Sequence, residues 1–156
     1  MRENTCCFTG HRPENMEHSE TDIRPRIEQA IETAMEKGIM TFITGMAMGT
    51  DIWAAEIVLE KKEKNRNIRL ICALPHPNFE KRRSIVEQTR FRDILKNADD
   101  VILVNRRYFS GCYHVRNKWM VDHSEMVIAV YNGSAGGTRN TVAYARSSGI
   151  DVVNII

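Results

Sequence analysis

Long hydrophobic runs are missing from this sequence of 156 residues. No apolar stretch approaches the roughly 20 residues that a membrane-spanning helix needs. The first residues, MRENTCCFTG, contain no signal-peptide hydrophobic region. We therefore expect a cytoplasmic protein with no membrane partner. The apolar content of 42% and the charged content of 27% are ordinary for a globular chain, and the length predicts one domain over residues 1–156.

An excess of charge and a set of metal ligands are missing too. The chain has 22 Lys and Arg against 20 Asp and Glu, and the net charge of +2 argues against duplex nucleic acid as a partner. Neither the histidines nor Cys6, Cys7, Cys72 and Cys112 show metal-ligand spacing, so we expect no metal site. Three of the cysteines lie in or next to apolar runs, which predicts reduced, buried thiols.

Short apolar runs alternate with longer amphipathic stretches along the whole chain. The short runs predict six strands, at residues 5–8, 39–43, 68–74, 101–104, 126–131 and 150–156. Several are continuously apolar, as parallel strands covered on both faces are. Between them, apolar residues at helical spacing predict helices, the first capped by Ser19 or Thr21. Strict alternation of strand and helix predicts a doubly wound parallel sheet of the α/β class.

Glycines and polar residues collect directly after the predicted strands. The segments are TGHRP at 9–13, TGMAMGTD at 44–51 and NGSAGGT at 132–138. In doubly wound sheets, ligands bind outside the carboxyl ends of the strands. The sequence therefore predicts a ligand-binding face at this edge of the sheet.

The NGSAGGT segment is typical of a phosphate site. Gly133, Gly136 and Gly137 lack a β-carbon, so their backbone N–H groups can approach a ligand closely. Thr138 is predicted to begin a helix, whose N-terminus favours an anion. The alternative is a glycine-rich turn in which Thr138 is an ordinary helix cap.

The TGMAMGTD segment follows the same logic, with Gly45, Met46 and Gly49 leading into the second helix. It matches neither the GxGxxG dinucleotide fingerprint nor a P-loop, since no lysine follows. This departure argues against ordinary ATP hydrolysis. Asp51 either caps the helix or holds a ribose hydroxyl group.

Two further segments carry side chains suited to an anionic ligand. Arg12 could clamp a phosphate, whereas His11 could act as an acid or base or lie in a solvated loop. Arg116 and Asn117, near the start of the fourth helix, form a polar pair facing the same mouth. The candidate ligand-binding residues are Thr9, Gly10, His11, Arg12, Gly45, Met46, Gly49, Asp51, Arg116, Asn117, Gly133, Gly136, Gly137 and Thr138.

Arginines fall repeatedly at or just beyond the ends of the predicted strands. Arg12, Arg106, Arg107, Arg116 and Arg139 have this placement, so a nearly neutral chain can still present a positive mouth to a small anionic, phosphate-bearing ligand. The Arg82–Arg83 and Arg106–Arg107 pairs are also typical of solvated surface, although the second pair follows a strand directly.

The strings CCFTGHRP, ITGMAMGTDIWAAE, ADDVILV and RNKWMVDHSEMVIAVYNGSAGGTRNTVAYA together resemble the YpsA-like family of the SLOG superfamily. That superfamily also contains Smf/DprA DNA-processing proteins and Lonely-guy nucleotide hydrolases. The resemblance implies a Rossmann-like three-layer α/β/α sandwich with the strand order 3-2-1-4-5-6, which places the first and fourth strands at the switch point. It also implies a nucleotide or nucleotide-derived ligand at the glycine loops and, because relatives commonly form dimers, a homodimer.

Two other functions follow from the relatives. Lonely-guy enzymes carry PGGxGTxxE, but no Glu follows Gly136-Gly137-Thr138 here, so hydrolysis of an N-glycosidic or phosphate-ester bond ranks second and no catalytic residue is assigned. Single-stranded DNA binding ranks third, because aromatic residues make up only 7% of the chain and its charges nearly balance.

Overall fold

Residues 2–156 are described by a computed structural model, which contains one parallel sheet of six strands and five α-helices. A short 3-10 helix, Pro13–Asn15, follows the first strand. The other elements are, in chain order, β1 (Thr5–Gly10), α1 (Glu20–Glu36), β2 (Thr41–Thr44), α2 (Thr50–Lys64), β3 (Arg69–Leu74), α3 (Ile85–Asn97), β4 (Asp100–Leu103), α4 (Cys112–Asp122), β5 (Met126–Val130), α5 (Gly137–Ser147) and β6 (Asp151–Asn154).

The sheet lies between two layers of helices. Helices α1, α2 and α3 pack on one face, where the stacked rings of Phe8 and Phe42 lie 6.0 Å apart. Helices α4 and α5 cover the other face, where Cys7 packs with Met120 and Val127. Side chains of a strand alternate between faces, so neighbouring residues of β1 enter different cores. The predicted Rossmann-like three-layer α/β/α fold is confirmed, and the four cysteines are buried free thiols.

The observed strand order, β4-β3-β2-β1-β5-β6, differs from the expected one in the place of the fourth strand. Strand β4 lies at the edge beyond β3, and β5 pairs with β1. Burial explains this arrangement, because all five residues of β5 are buried whereas β4 is mostly exposed. The order therefore reverses between β1 and β5, which brings the TGHRP and NGSAGGT segments together at the switch point.

Helix boundaries follow local capping. Ser19 caps α1 through a capping box with Asp22, and Gly38, at φ 97°, lies just beyond its end. Apolar spacing predicts a third helical region at roughly residues 79–97, but α3 begins only at Ile85, since Ser84 caps it and the residues before it form turns. Within residues 2–156, none of the helices combines the length and apolarity needed to cross a bilayer.

Two buried threonines at the β2–α2 connection have opposite hydrogen-bonding states. The Thr44 hydroxyl donates to the Asp51 carbonyl at 2.9 Å and accepts from the Met46 N–H at 3.2 Å. The Thr50 hydroxyl is buried and has no hydrogen-bond partner among residues 2–156. A satisfied buried hydroxyl stabilises a fold, whereas an unsatisfied one destabilises it.

Replacing each threonine with valine, which has a similar shape but no hydroxyl group, distinguishes the hydrogen-bonded hydroxyl from the unbonded one. We expect Thr44→Val to lower the free energy of unfolding by about 1–3 kcal/mol, because the Met46 N–H loses its acceptor. Thr50→Val should leave it unchanged or raise it by about 1 kcal/mol, because a desolvated hydroxyl is removed. Urea titrations of both variants provide the measurement, and equal losses of stability would contradict the assignment.

Candidate functional site

Most of the predicted site residues surround one cavity of about 250 Å³ at the switch point, here named the inner cavity. It lies where the segments after β1 and β5 meet the first turns of α2, α4 and α5. The predicted residues in its wall are Thr9, Gly10, His11, Arg12, Asp51, Arg116, Asn117, Gly136, Gly137 and Thr138. Phe79 and Tyr113 also line it and were not predicted.

Four predicted residues lie outside this wall. Met46 is fully buried in the core, with a left-handed φ of 62°. Gly49 packs so closely on Pro13 that a β-carbon would approach Pro13 Cδ to 2.9 Å. Gly133 is exposed at a φ of 90°, and a β-carbon on Gly45 would meet other site residues. These residues shape the loops and do not border the cavity.

Arg116 joins the cavity wall to the ends of two strands. Its side chain is buried on α4, and Nη1 donates to the carbonyl oxygens of Gly45 and Ala73, beyond β2 and within β3. Its Nε donates to Asn117 Oδ1 at 2.8 Å. No hydrogen bond from Nη2 is found within residues 2–156.

Asp51 and the guanidinium of Arg116 both lie close to Gly45. A β-carbon on Gly45 would be 2.9 Å from both Asp51 Oδ2 and Arg116 Cζ, so a larger residue there would force these side chains to shift. The same carboxylate oxygen accepts the Ala47 N–H at 3.2 Å. Burial raises the pKa of Asp51 to about 6, although the positive charge of Arg116 opposes the rise.

His11 connects the two loops of the switch point. It is buried, and its Nε2 accepts the backbone N–H of Asn132 at 3.1 Å, which requires that nitrogen to be unprotonated. Burial lowers the pKa of His11. The solvated-loop alternative for His11 is therefore wrong, and its visible role is to hold the loop after β5 against β1.

The three helices whose first turns line the inner cavity all begin without a side-chain cap. Gly49, Gly111 and Gly136 occupy the N-cap positions of α2, α4 and α5, and no side chain within residues 2–156 caps these helices. Helices α1 and α3 are capped by Ser19 and Ser84. First-turn N–H groups lack partners inside a helix, so the uncapped start of α5, where Gly136 and Gly137 border the cavity, can bind an anion.

Comparison with known proteins identifies the family. A family model described as the YspA SLOG family matches residues 6–148. The chain belongs to this family. The SPbeta prophage-derived protein YoqJ of Bacillus subtilis is 34% identical over 119 residues, which cover 69% of this chain and 70% of YoqJ. A UPF0398 protein of Halalkalibacterium halodurans is 28% identical over 120 residues, which cover 76% of this chain and 64% of that protein.

Two solved structures share the fold of this YspA SLOG family chain. DNA processing protein A of Streptococcus pneumoniae superposes with a TM-score of 0.59 at 14% identity, over 95% of this chain and 49% of that one. The Helicobacter pylori protein, described for its single-stranded DNA binding mode, gives a TM-score of 0.65 at 16% identity, over 95% and 63%. This chain therefore spans about half to two thirds of their length, and such identities show the fold alone.

A second, larger cavity in this family member adjoins the inner one and was missed by sequence reasoning. It has a volume of about 720 Å³ and is here named the outer cavity. Arg12, Ala47, Phe79 and Tyr113 belong to both walls. The segment that supplies much of its wall, residues 76–83, lies in the irregular stretch before α3, where no motif marks a site.

The arginine pairs of the sequence behave differently from one another. Arg83 was expected on the solvated surface, but it is partly buried, donates to the Met46 carbonyl at 2.7 Å and lies 4.8 Å from the Phe79 ring centre. Arg106 and Arg107 border a separate surface cavity beside Phe109. Of the five arginines predicted to lie at strand ends around the ligand, Arg12 and Arg116 line the inner cavity.

Asp51→Asn tests the buried carboxylate. The pKa of Asp51 is about 6 in the folded protein and ordinarily 3.8, so folding of the wild type weakens as pH rises from about 4 to about 6. The variant has no such group, so the difference between its free energy of unfolding and that of the wild type should rise by about 3 kcal/mol over this interval. At higher pH this difference should stay constant. Urea titrations across this pH range measure it, and a pH-independent difference would contradict the burial of a charge here.

Proposed function

We propose that the protein binds a small phosphate-bearing ligand of nucleotide type in the inner cavity. One observation carries the proposal: the start of α5, which has no side-chain cap, borders this cavity through Gly136, Gly137 and Thr138. A phosphate has enough oxygen atoms to accept several N–H groups at once, and the dipole of this helix favours its negative charge.

The charged side chains of the inner cavity support the same ligand. Among residues 2–156, Arg12 and Arg116 are the arginines in its wall, and Asp51 is the only carboxylate there. Because Asp51 lies near Arg116, the exposed guanidinium of Arg12 is left to attract an anion. Arginine can bind a phosphate through two parallel hydrogen bonds.

The wall of the inner cavity supports binding better than hydrolysis. General acid–base hydrolysis of a glycosidic bond uses a pair of carboxyl groups, and this wall has one. That carboxylate accepts the Ala47 N–H, and His11 Nε2 accepts the Asn132 N–H. Within residues 2–156, the wall therefore lacks the second carboxyl group that such a mechanism uses.

Ribose 5-phosphate, AMP and adenosine separate the contributions of phosphate and base. We expect both phosphate compounds to raise the melting temperature, and adenosine to bind more than tenfold more weakly than AMP. At about 100 times its dissociation constant a ligand adds about 2.7 kcal/mol, or roughly 5–10 °C for a chain of this size. Calorimetric titrations would then give the affinities. Failure of both phosphate compounds to bind would overturn the proposal.

Two variants localise the phosphate. Arg12→Gln should weaken ribose 5-phosphate about tenfold to a hundredfold through loss of a charge-assisted hydrogen bond, while Arg66→Gln, at an exposed position before β3, should change nothing. Gly137→Ala should also weaken binding, because its methyl group takes up space in the cavity wall. It should not unfold the chain, because the nearest atom to that methyl group would be Asn117 Nδ2, at 3.9 Å. Unchanged affinity in both site variants would place the phosphate elsewhere.

A further inference from the structure

The outer cavity is lined by rings and cations. His76, Phe79, Tyr108 and Tyr113 supply the rings, and Tyr108 is 64% exposed. Large aromatic side chains are normally buried or hydrogen-bonded to a partner, so a solvent-exposed aromatic cluster in a cavity indicates a binding surface. Its volume of about 720 Å³ lies in the range typical of small-molecule pockets.

The rings form one contiguous cluster. The His76 ring centre lies 5.2 Å from that of Tyr108 and 5.8 Å from that of Tyr113, and Phe79 lies 5.6 Å from both His76 and Tyr113. Arg83 stacks over Phe79 and fixes the base of the cluster. The tyrosine faces that remain in water can stack on a flat ring without prior rearrangement of the cluster.

All charged side chains in the wall of the outer cavity are cations. Arg12, Lys81, Arg82 and Arg83 line it, no Asp or Glu does, and none of the four forms an ion pair within residues 2–156. Rings beside unpaired cations suit a ligand that combines a planar base with negative charge. An uncharged apolar ligand would leave these cations without a partner.

The two cavities share part of their walls, so one ligand can occupy both. Arg12 and Tyr113 border each of them, which places a phosphate-binding cation and an exposed ring at the same junction. We infer that the outer cavity is the nucleobase subsite for the ligand whose phosphate the inner cavity holds, with the base stacked on Tyr108 and Tyr113. This inference rests on the proposed function.

Tyr108→Ala tests the subsite, with the neighbouring Phe109→Ala as its control. Phe109 is 42% exposed but borders a different cavity. Stacking on an aromatic side chain contributes about 1–3 kcal/mol, so Tyr108→Ala should weaken the best of the four nucleoside 5′-monophosphates about 5- to 150-fold. It should leave ribose 5-phosphate unchanged. Phe109→Ala should affect neither ligand, and Tyr108→Phe should keep most of the affinity.

The outcomes separate this inference from the proposed function. If ribose 5-phosphate binds but no nucleoside monophosphate binds more tightly, the phosphate site stands and the base subsite is refuted. Equal losses for both ligands in Tyr108→Ala would also refute it. If short oligo(dT) binds far more tightly than any monophosphate, with a steep dependence on salt, the surface serves single-stranded nucleic acid and the small-ligand subsite is wrong.

Discussion

The buried guanidinium of Arg116 is the contact on which the site geometry depends. It binds the carbonyl oxygens of Gly45 and Ala73, so helix α4 on one face is tied to two strand ends of the central sheet. Its charge also moderates the burial of Asp51, which in turn holds the Ala47 N–H. Because these groups crowd around Gly45, a larger residue there would displace them. One buried cation thus sets the shape of the β2–α2 loop and the position of the α4 first turn.

The alternation of strands and helices could be read from the sequence because parallel strands leave continuous apolar runs, but the strand order could not. Pairing β4 with β1 or with β3 satisfies the same right-handed crossover rule. What decides is relative burial: MVIAV is fully buried, whereas β4 begins with Asp100 and exposes Leu103. In sequence the run VILV at 101–104 is as continuously apolar as MVIAV, so this difference in burial appears only in the folded sheet.

The sequence predicts the glycine loops of the site, but it does not predict which side chains pack around them. Gly136 and Gly137 mark a close backbone approach by composition alone, and they lie in the cavity wall. Arg82 and Arg83 are identical neighbours in sequence, yet only Arg83 packs over Phe79, because direction after a turn decides which side chain is buried. His76 and Tyr108 are 32 residues apart in the chain, and no local sequence pattern predicts that their rings make contact.

The net charge of +2 does not show how charged side chains are arranged, because many of them form ion pairs. Arg24 and Arg90 are neutralised by Glu20 and Glu56 where α1, α2 and α3 meet. Arg116 is offset by Asp51, while the cations of the outer cavity have no acidic partner in its wall. Unpaired positive charge in a concavity creates a local potential that the chain total does not report. The proposed compact anion between the two cavities needs only this local potential, whereas a long nucleic-acid track would need cations extended along the surface.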